Sequence, residues 1–215
     1  MKNPFAVLFC ILLFSCSIQK NSTHNIHPII PDPIDTTSQS ESIIINDFLA
    51  AELKKDRYKN YKDFEITIID EALKKSKAIE AYLYSYNERQ SINKSDEIKN
   101  TYFLDSLQIE KIKSELKKET ISYWKISDFP KTKVNLLTNE ELKKILNTGS
   151  YTNLPNRLII HLSKPLIIDK NNALISFDIG NGKFGYSAIN HSTILMKKVN
   201  NTWKQGGYYE DGIFY

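Results

Sequence analysis

A chain of 215 residues with 41% apolar and 25% charged side chains lies near the globular average and has length for one domain with a real core once a leader and a tether are set aside. That balance excludes extensive disorder. The formal charge of +4 comes mostly from lysines interspersed with Glu and Asp, the texture of a solvated surface, and it excludes a nucleic-acid footprint of clustered basic residues with stacking aromatics.

The chain opens with Lys2 and then Phe5 to Phe14 (FAVLFCILLF), ten residues without a polar side chain. This is the length of a signal-peptide core, whereas a membrane span needs about twice as many. Leu13-Phe14-Ser15-Cys16 resembles the lipobox of bacterial lipoproteins by Leu at −3, small Ser at −1 and Cys at +1, with Phe14 departing from the usual small residue at −2. The resemblance implies cleavage before Cys16 and a lipid on its thiol. Residues 1–15 are then a leader, Cys10 is discarded with it, and the mature chain holds neither a free thiol nor a disulfide. From Ser17 to Glu41 the chain is rich in Ser, Thr, Asn, Asp and Pro without helical or alternating period. Residues 16–41 are therefore expected to form a lipidated flexible tether and residues 42–215 a single domain. Ser17 is not the Asp associated with inner-membrane retention, and no acidic cluster follows. By that resemblance the anchored protein is expected at the periplasmic face of the outer membrane, held by more than one acyl chain.

Ser42 to about Arg57 places Ile45, Phe48, Leu49 and Leu53 on one face, which predicts an amphipathic helix with Ser42 as its cap. Between Tyr61 and Asn87 the signals conflict. Glu65 to Ile69 favours a strand, Ile79, Tyr82, Leu83 and Tyr86 suit a helix, and Tyr82, Tyr84 and Tyr86 also alternate like a strand face. Asp105 with Gln108 makes a capping box, and Ile109, Ile112 and Leu116 continue at helical spacing to Glu119. Thr120 to Ser127 is β-branched and aromatic, hence strand-like. Thr138 with Glu141 is a second capping box, Leu137 and Leu142 can staple across it, and Gly149 can close that helix. After Pro155 come Arg157 to Ser163, Asn171 to Asp178, Ala188 to Val199 and Thr202 to Tyr209, short apolar or alternating runs that predict four antiparallel strands. Asn200-Asn201 suits a two-residue hairpin turn flanked by Val199 and Thr202. The expected fold is α+β, with N-terminal helices packed on a C-terminal antiparallel four-strand meander.

Gly180 to Gly185 matches G-x-G-x-x-G, yet strand texture resumes at Ser187 where a dinucleotide site needs a helix. A hairpin loop is expected, no nucleotide is expected to bind, and Gly182→Ala should cost about 1 kcal/mol or less. His24 and His27 lie in the tether, where no scaffold fixes them. His161 and His191 can meet across the meander with Asp178, although nothing in the spacing requires it and a strand histidine is commonly structural. Glu140-Glu141 reads as a helix cap, and Glu210-Asp211 lies near the terminus. With no G-x-S-x-G, H-E-x-x-H, C-x-x-C or P-loop, no catalytic residue, metal or cofactor is expected. Trp124, Trp203, Tyr208 and Tyr209 are the candidate aromatic platform for a protein or glycan partner, with core or sheet cover as the alternative use.

The stretch from about Leu158 onward carries Leu162-Ser163-Lys164-Pro165, Asn172-Ala173 and Met196-Lys197-Lys198 before Trp203. It resembles a C-terminal β module of uncharacterised Bacteroidetes lipoproteins. The resemblance implies fold and lineage and brings no functional residue with it. The expected function is that of a non-enzymatic binding or envelope-accessory lipoprotein whose membrane contact is the lipid on Cys16. The alternatives are a lipid-anchored immunity protein against a secreted toxin, and a glycan or peptidoglycan hydrolase. The last is favoured only if a cleft gathers two or three polar groups from distant segments.

Overall fold

A computed structural model of the chain describes residues 36–92, 102–147, 156–182 and 187–212. The leader, Cys16, most of the tether, Gly149 and residues 183–186 of the glycine-rich loop lie outside the described residues.

The elements in chain order are helix α1 (Thr36–Glu52), a short 3-10 turn (Asp56–Tyr61), strand β1 (Glu65–Ile69), α2 (Ser76–Ile92), α3 (Ser106–Leu116), a second 3-10 turn (Ile126–Asp128), β2 (Asn135–Leu137), α4 (Asn139–Asn147), β3 (Arg157–Leu162), β4 (Leu166–Asp169), β5 (Asn172–Asn181), β6 (Ser187–Val199) and β7 (Thr202–Tyr209). The strands form one sheet in the order β2-β1-β3-β5-β6-β7, with β4 also paired to β5. β1 pairs in parallel with both β2 and β3, and the remaining pairings are antiparallel.

The fold is thus α+β, but the expected antiparallel four-strand meander is corrected to a mixed seven-stranded sheet. Two of the extra strands, β1 and β2, come from the chain before Pro155. β1 aligns Glu65 with Arg157, a partner far outside any local window, and β2 is only three residues long. The third, β4, is separated from β3 by Ser163-Lys164-Pro165, because proline has no N–H for the ladder. Ser163 bridges the break: its N–H donates to the Ser176 carbonyl and its Oγ accepts the Ser176 N–H, both at 2.9 Å. Thr120 to Ser127 contributes no strand, only an isolated bridge between Tyr123 and Glu71. Both edges of β1 are already taken by β2 and β3, leaving only the chain just beyond it to pair.

α1 begins at Thr36, inside the stretch read as tether. Residues 36–41 have no apolar side chain and so no helical period to betray them. Ser42 is accordingly within the helix, where its Oγ donates to the Asp128 carbonyl at 2.8 Å. The Asp105/Gln108 box caps α3 as expected. In the Thr138/Glu141 box, Glu141 N–H donates to Thr138 Oγ1 at 3.1 Å while the Glu141 carboxylate accepts Thr138 N–H at 2.8 Å. That backbone hydrogen bond holds the Glu141 carboxyl below its ordinary pKa. Asn200 and Asn201 take φ of 51° and 60°, with Val199 opposite Thr202, a two-residue hairpin turn whose backbone twist matches the strands.

Strand alternation gives the sheet two different faces. On one, Ala173, Ile175, Phe177 and Ile179 of β5 join Ile44, Ile45 and Phe48 of α1, with Trp124, Met196 and Trp203, in one apolar cluster. On the other, Leu174, Leu195 and Tyr209 pack against Ala78, Ile79, Ala81 and Tyr82 of α2, while Ile69, Leu137 and Ile159 receive Leu142 and Ile145 of α4. Helices therefore cover both faces. The α2 face is where polar residues enter.

Candidate functional site

The α2 stripe that meets the sheet is Ala78, Ile79, Ala81, Tyr82 and Ser85, all buried, at the i, i+3, i+4, i+7 spacing of a helix face. Its N-terminus is capped from far away: the Glu119 carboxylate accepts the N–H groups of Lys75 and Ser76. Tyr82 anchors the middle by accepting Leu104 N–H at 2.9 Å, and burial pushes its phenol up to about 12. Ser85 holds the C-terminal segment, donating to the Glu210 carbonyl at 3.1 Å and accepting its N–H at 2.7 Å.

Beneath this helix the register sets a polar row across three strands. His161 of β3 lies opposite Asp178 of β5, and Asp178 lies opposite His191 of β6. Directly paired residues project from the same face, with neighbouring strands about 4.8 Å apart, so two imidazoles flank one carboxylate. His161 Nε2 lies 2.8 Å from the Glu71 carbonyl. A carbonyl only accepts, so Nε2 carries the hydrogen and Nδ1 keeps its lone pair. Burial lowers the His161 pKa, with the Glu71 hydrogen bond and the Asp178 charge opposing that shift. His191 Nδ1 lies 3.1 Å from Asp211 Oδ2, an arrangement that orients the ring and leaves Nε2 turned away from the carboxylate.

Asp211 reaches His191 because the chain bends back beyond β7. Gly212 has φ of 73°, and a Cβ there would lie 2.7 Å from the ring of Tyr84. Backbone and space both call for glycine. With Ser85 clamping Glu210, this turn holds residues 210–212 against α2. The row, the turn and the α2 residues Lys77, Glu80 and Tyr84 enclose a cleft of about 470 Å³, within the usual size of a small-ligand site. Ser176 and Thr193 form its polar floor, their hydroxyl oxygens 2.6 Å apart. Three carboxylates (Glu80, Asp178, Asp211) against one lysine (Lys77) make the cleft hostile to anions and receptive to hydrogen-bond donors. Among the described residues no group of three or more His, Cys, Asp or Glu side chains is placed to hold a metal ion.

The row of His161, Asp178 and His191 was visible in the sequence as a pattern without a reason to form. Lys77, Glu80 and Tyr84 were missed. Their signal was a second stripe on α2 beside the apolar one, hidden while that stretch remained ambiguous between helix and strand.

Of the four residues of the candidate platform, Trp124, Trp203 and Tyr208 lie in or against the α1-face cluster and Tyr209 lies on the other face. Trp124 is 2% exposed, donates Nε1–H to the Leu162 carbonyl at 3.1 Å and carries the Lys164 ammonium 3.6 Å above its ring. Trp203 is buried in the α1-face cluster. Tyr208 and Tyr209 are split between the two faces. An extra β7 residue between the Ile194–Tyr208 and Met196–Gln205 pairs shifts the register, as a bulge does. Tyr208 thus reaches Glu52 at 2.6 Å, while Tyr209 packs 5.0 Å from the ring of Tyr82.

Compared with protein-family models, curated proteins and solved structures, the chain finds no match.

Proposed function

We propose that this chain is a lipid-anchored envelope protein that binds a polyhydroxylated or amine-bearing ligand, of the kind a cell-wall glycan presents, in the cleft between α2 and the sheet. The observation that carries the reading is the in-register row of His161, Asp178 and His191 in a cavity of about 470 Å³. Carboxylates accept from vicinal hydroxyls or an ammonium, imidazole supplies either hydrogen-bond role, and Tyr84 offers a ring to a sugar face. The excess of carboxylates over cations supports neutral or cationic ligands over phosphorylated ones.

The pairing of His191 with Asp211 favours a second reading, hydrolysis of the same ligand class. A ring oriented through Nδ1 can take a proton from water at Nε2. One experiment addresses both. Neutral N-acetylglucosamine oligosaccharides and their de-N-acetylated, amine-bearing counterparts are titrated calorimetrically into the full chain and the mixtures then examined for cleavage products. Binding that weakens at least about tenfold in Asp178→Asn, about 1.4 kcal/mol, with no product, supports the binding protein. Product lost in His191→Ala supports the hydrolase. Equal affinity of wild type and Asp178→Asn removes the cleft from the function.

A further inference from the structure

Two hairpin tips at one end of the sheet gather positive charge that the cleft does not use. Lys170 and Asn171 of the β4–β5 turn, Asn200 and Asn201 of the β6–β7 turn, and Lys198 line one concavity of about 440 Å³. The two turns are tied together, with Lys198 N–H donating to the Asn171 carbonyl at 2.8 Å. Beside them Lys197 stands directly opposite Lys204, and all four lysines are exposed. Like charges facing each other across a strand pair are destabilising, and an external anion relieves that repulsion.

The carboxylates of Asp169 and Asp47 accept from groups other than these lysines. Asp169 accepts from Asn171 N–H and Asn172 Nδ2 within its own hairpin. Asp47 accepts from Trp203 N–H and Lys131 Nζ. At the far end of α1, by contrast, Lys54, Arg57, Lys59 and Lys62 alternate with Asp56, Asp63 and Glu65.

The direction of α1 relates this charge to the incoming chain. Asp47 meets Trp203 at the start of β7, and Glu52 meets Tyr208 near its end. The helix therefore runs in the same sense as β7, and its N-terminus points toward the hairpin tips. At 1.5 Å per residue, Thr36 lies about 16 Å beyond Asp47 along the axis. Thr36, the first described residue, therefore lies toward the lysine-rich end.

We propose that this end is a docking surface for anionic phospholipid headgroups, with Lys170 and Lys198 taking a headgroup phosphate in the concavity and Lys197 and Lys204 neutralising adjacent ones. The assignment rests on lipid anchorage at Cys16 for its geometry: a tether holds the domain near the bilayer, and the charge selects the end that faces it. Acyl chains and basic residues are the two signals that together give stable membrane attachment.

The test measures partition of the full chain between buffer and two vesicle types, pure phosphatidylcholine and phosphatidylcholine with phosphatidylglycerol. The readout is the ratio of the two partition coefficients, in which contributions from acyl chain or leader cancel. Each lysine at the surface contributes about fivefold, so Lys170→Gln, Lys197→Gln, Lys198→Gln and Lys204→Gln together should lower the ratio more than tenfold. The charge-matched set Lys54→Gln, Arg57→Gln, Lys59→Gln and Lys62→Gln should leave it within about twofold, with circular dichroism confirming that both variants fold. Cys16→Ala should weaken binding to both vesicles and preserve the ratio. An unchanged ratio in the hairpin-tip variant overturns the docking surface, as does an equal fall in the matched set. Enrichment abolished by inorganic phosphate, but not by sodium chloride of equal ionic strength, overturns it in favour of a soluble phosphate site. Undiminished binding of Cys16→Ala, with the ratio still set by the hairpin-tip lysines, refutes the anchorage and retains the surface.

Discussion

His161 combines a fixed tautomer with a depressed pKa, and this gives the domain a pH dependence of definite sign. Burial favours the neutral imidazole in the folded state, so the unfolded chain binds more protons wherever the pH lies between the folded pKa and the ordinary value near 6.5. Stability contributed by the neutral ring is complete above that value and is lost as the pH falls through it. His161→Gln keeps a donor for the Glu71 carbonyl and removes the titration. Its denaturation midpoint should fall less than that of wild type between pH 7.5 and pH 5, and parallel profiles would show that His161 does not govern the slope. Gly182 also acts through its surroundings. A Cβ there would lie 2.7 Å from Arg157 Cγ and 3.0 Å from Ile159 Cδ1, and Ile159 is fully buried. The cost of Gly182→Ala therefore rises from the sequence expectation to about 1–3 kcal/mol, the range of overpacking. Trp203 shares its cluster with Ala173, Ile175 and Phe177 and is 9% exposed. Trp203→Ala should cost about 3–5 kcal/mol in denaturant unfolding, and an unshifted midpoint would mean that the ring contributes no packing.

The elements are held by polar clamps that cross long stretches of chain, and these explain what the sequence showed and what it hid. Glu52, at the end of α1 and 0% exposed, accepts from Lys55 Nζ at 2.6 Å, Tyr58 OH at 3.2 Å, Gln205 Nε2 at 3.0 Å and Tyr208 OH at 2.6 Å. One carboxylate thus fixes α1 to β7, and burial, reinforced by the Glu52 charge, pushes the Tyr58 phenol far up. Glu52→Leu deprives Lys55 Nζ, Tyr58 OH and Gln205 Nε2 of this acceptor while Tyr208 OH retains Gln205 Oε1 at 3.2 Å, so a loss of about 1–3 kcal/mol is expected; Glu52→Gln, which keeps an acceptor, should recover part of it. Comparison of their urea midpoints with wild type tests the clamp. Capping boxes and the Asn-Asn hairpin were legible because their partners lie within three residues. α2 was not, because its cap is Glu119 from beyond α3 and its apolar stripe shares residues with a strand-like tyrosine alternation. Glu65 to Ile69 was legible as a strand and is β1, whereas its two parallel partnerships and the three-residue β2 were hidden, since a parallel pairing repays its residues only when a distant partner arrives. In the candidate site, the identities of His161, Asp178 and His191 were readable. Their common row follows from register, which local spacing does not contain.

At the scale of the molecule, one sheet separates two cores of different chemistry, and its continuity should make them melt together. Both tryptophans, Trp124 and Trp203, lie in the cluster on the α1 face, whereas Tyr82, Tyr102 and Tyr209 pack ring to ring on the α2 face, with centroids 5.0 to 5.6 Å apart. Successive residues of β5 and β6 serve the two faces alternately, so neither core can dissolve while those strands keep their pairing for the other. Tryptophan fluorescence and near-ultraviolet tyrosine ellipticity should therefore give coincident denaturant transitions, the mark of a two-state domain. The described residues contain no cysteine, and a reducing agent should leave both midpoints in place. A tyrosine transition at lower denaturant than the tryptophan transition would mean that α2 and its cleft open as a separate unit. In that case Ser85→Ala, which removes the clamp on Glu210, should widen the gap by moving the tyrosine midpoint alone.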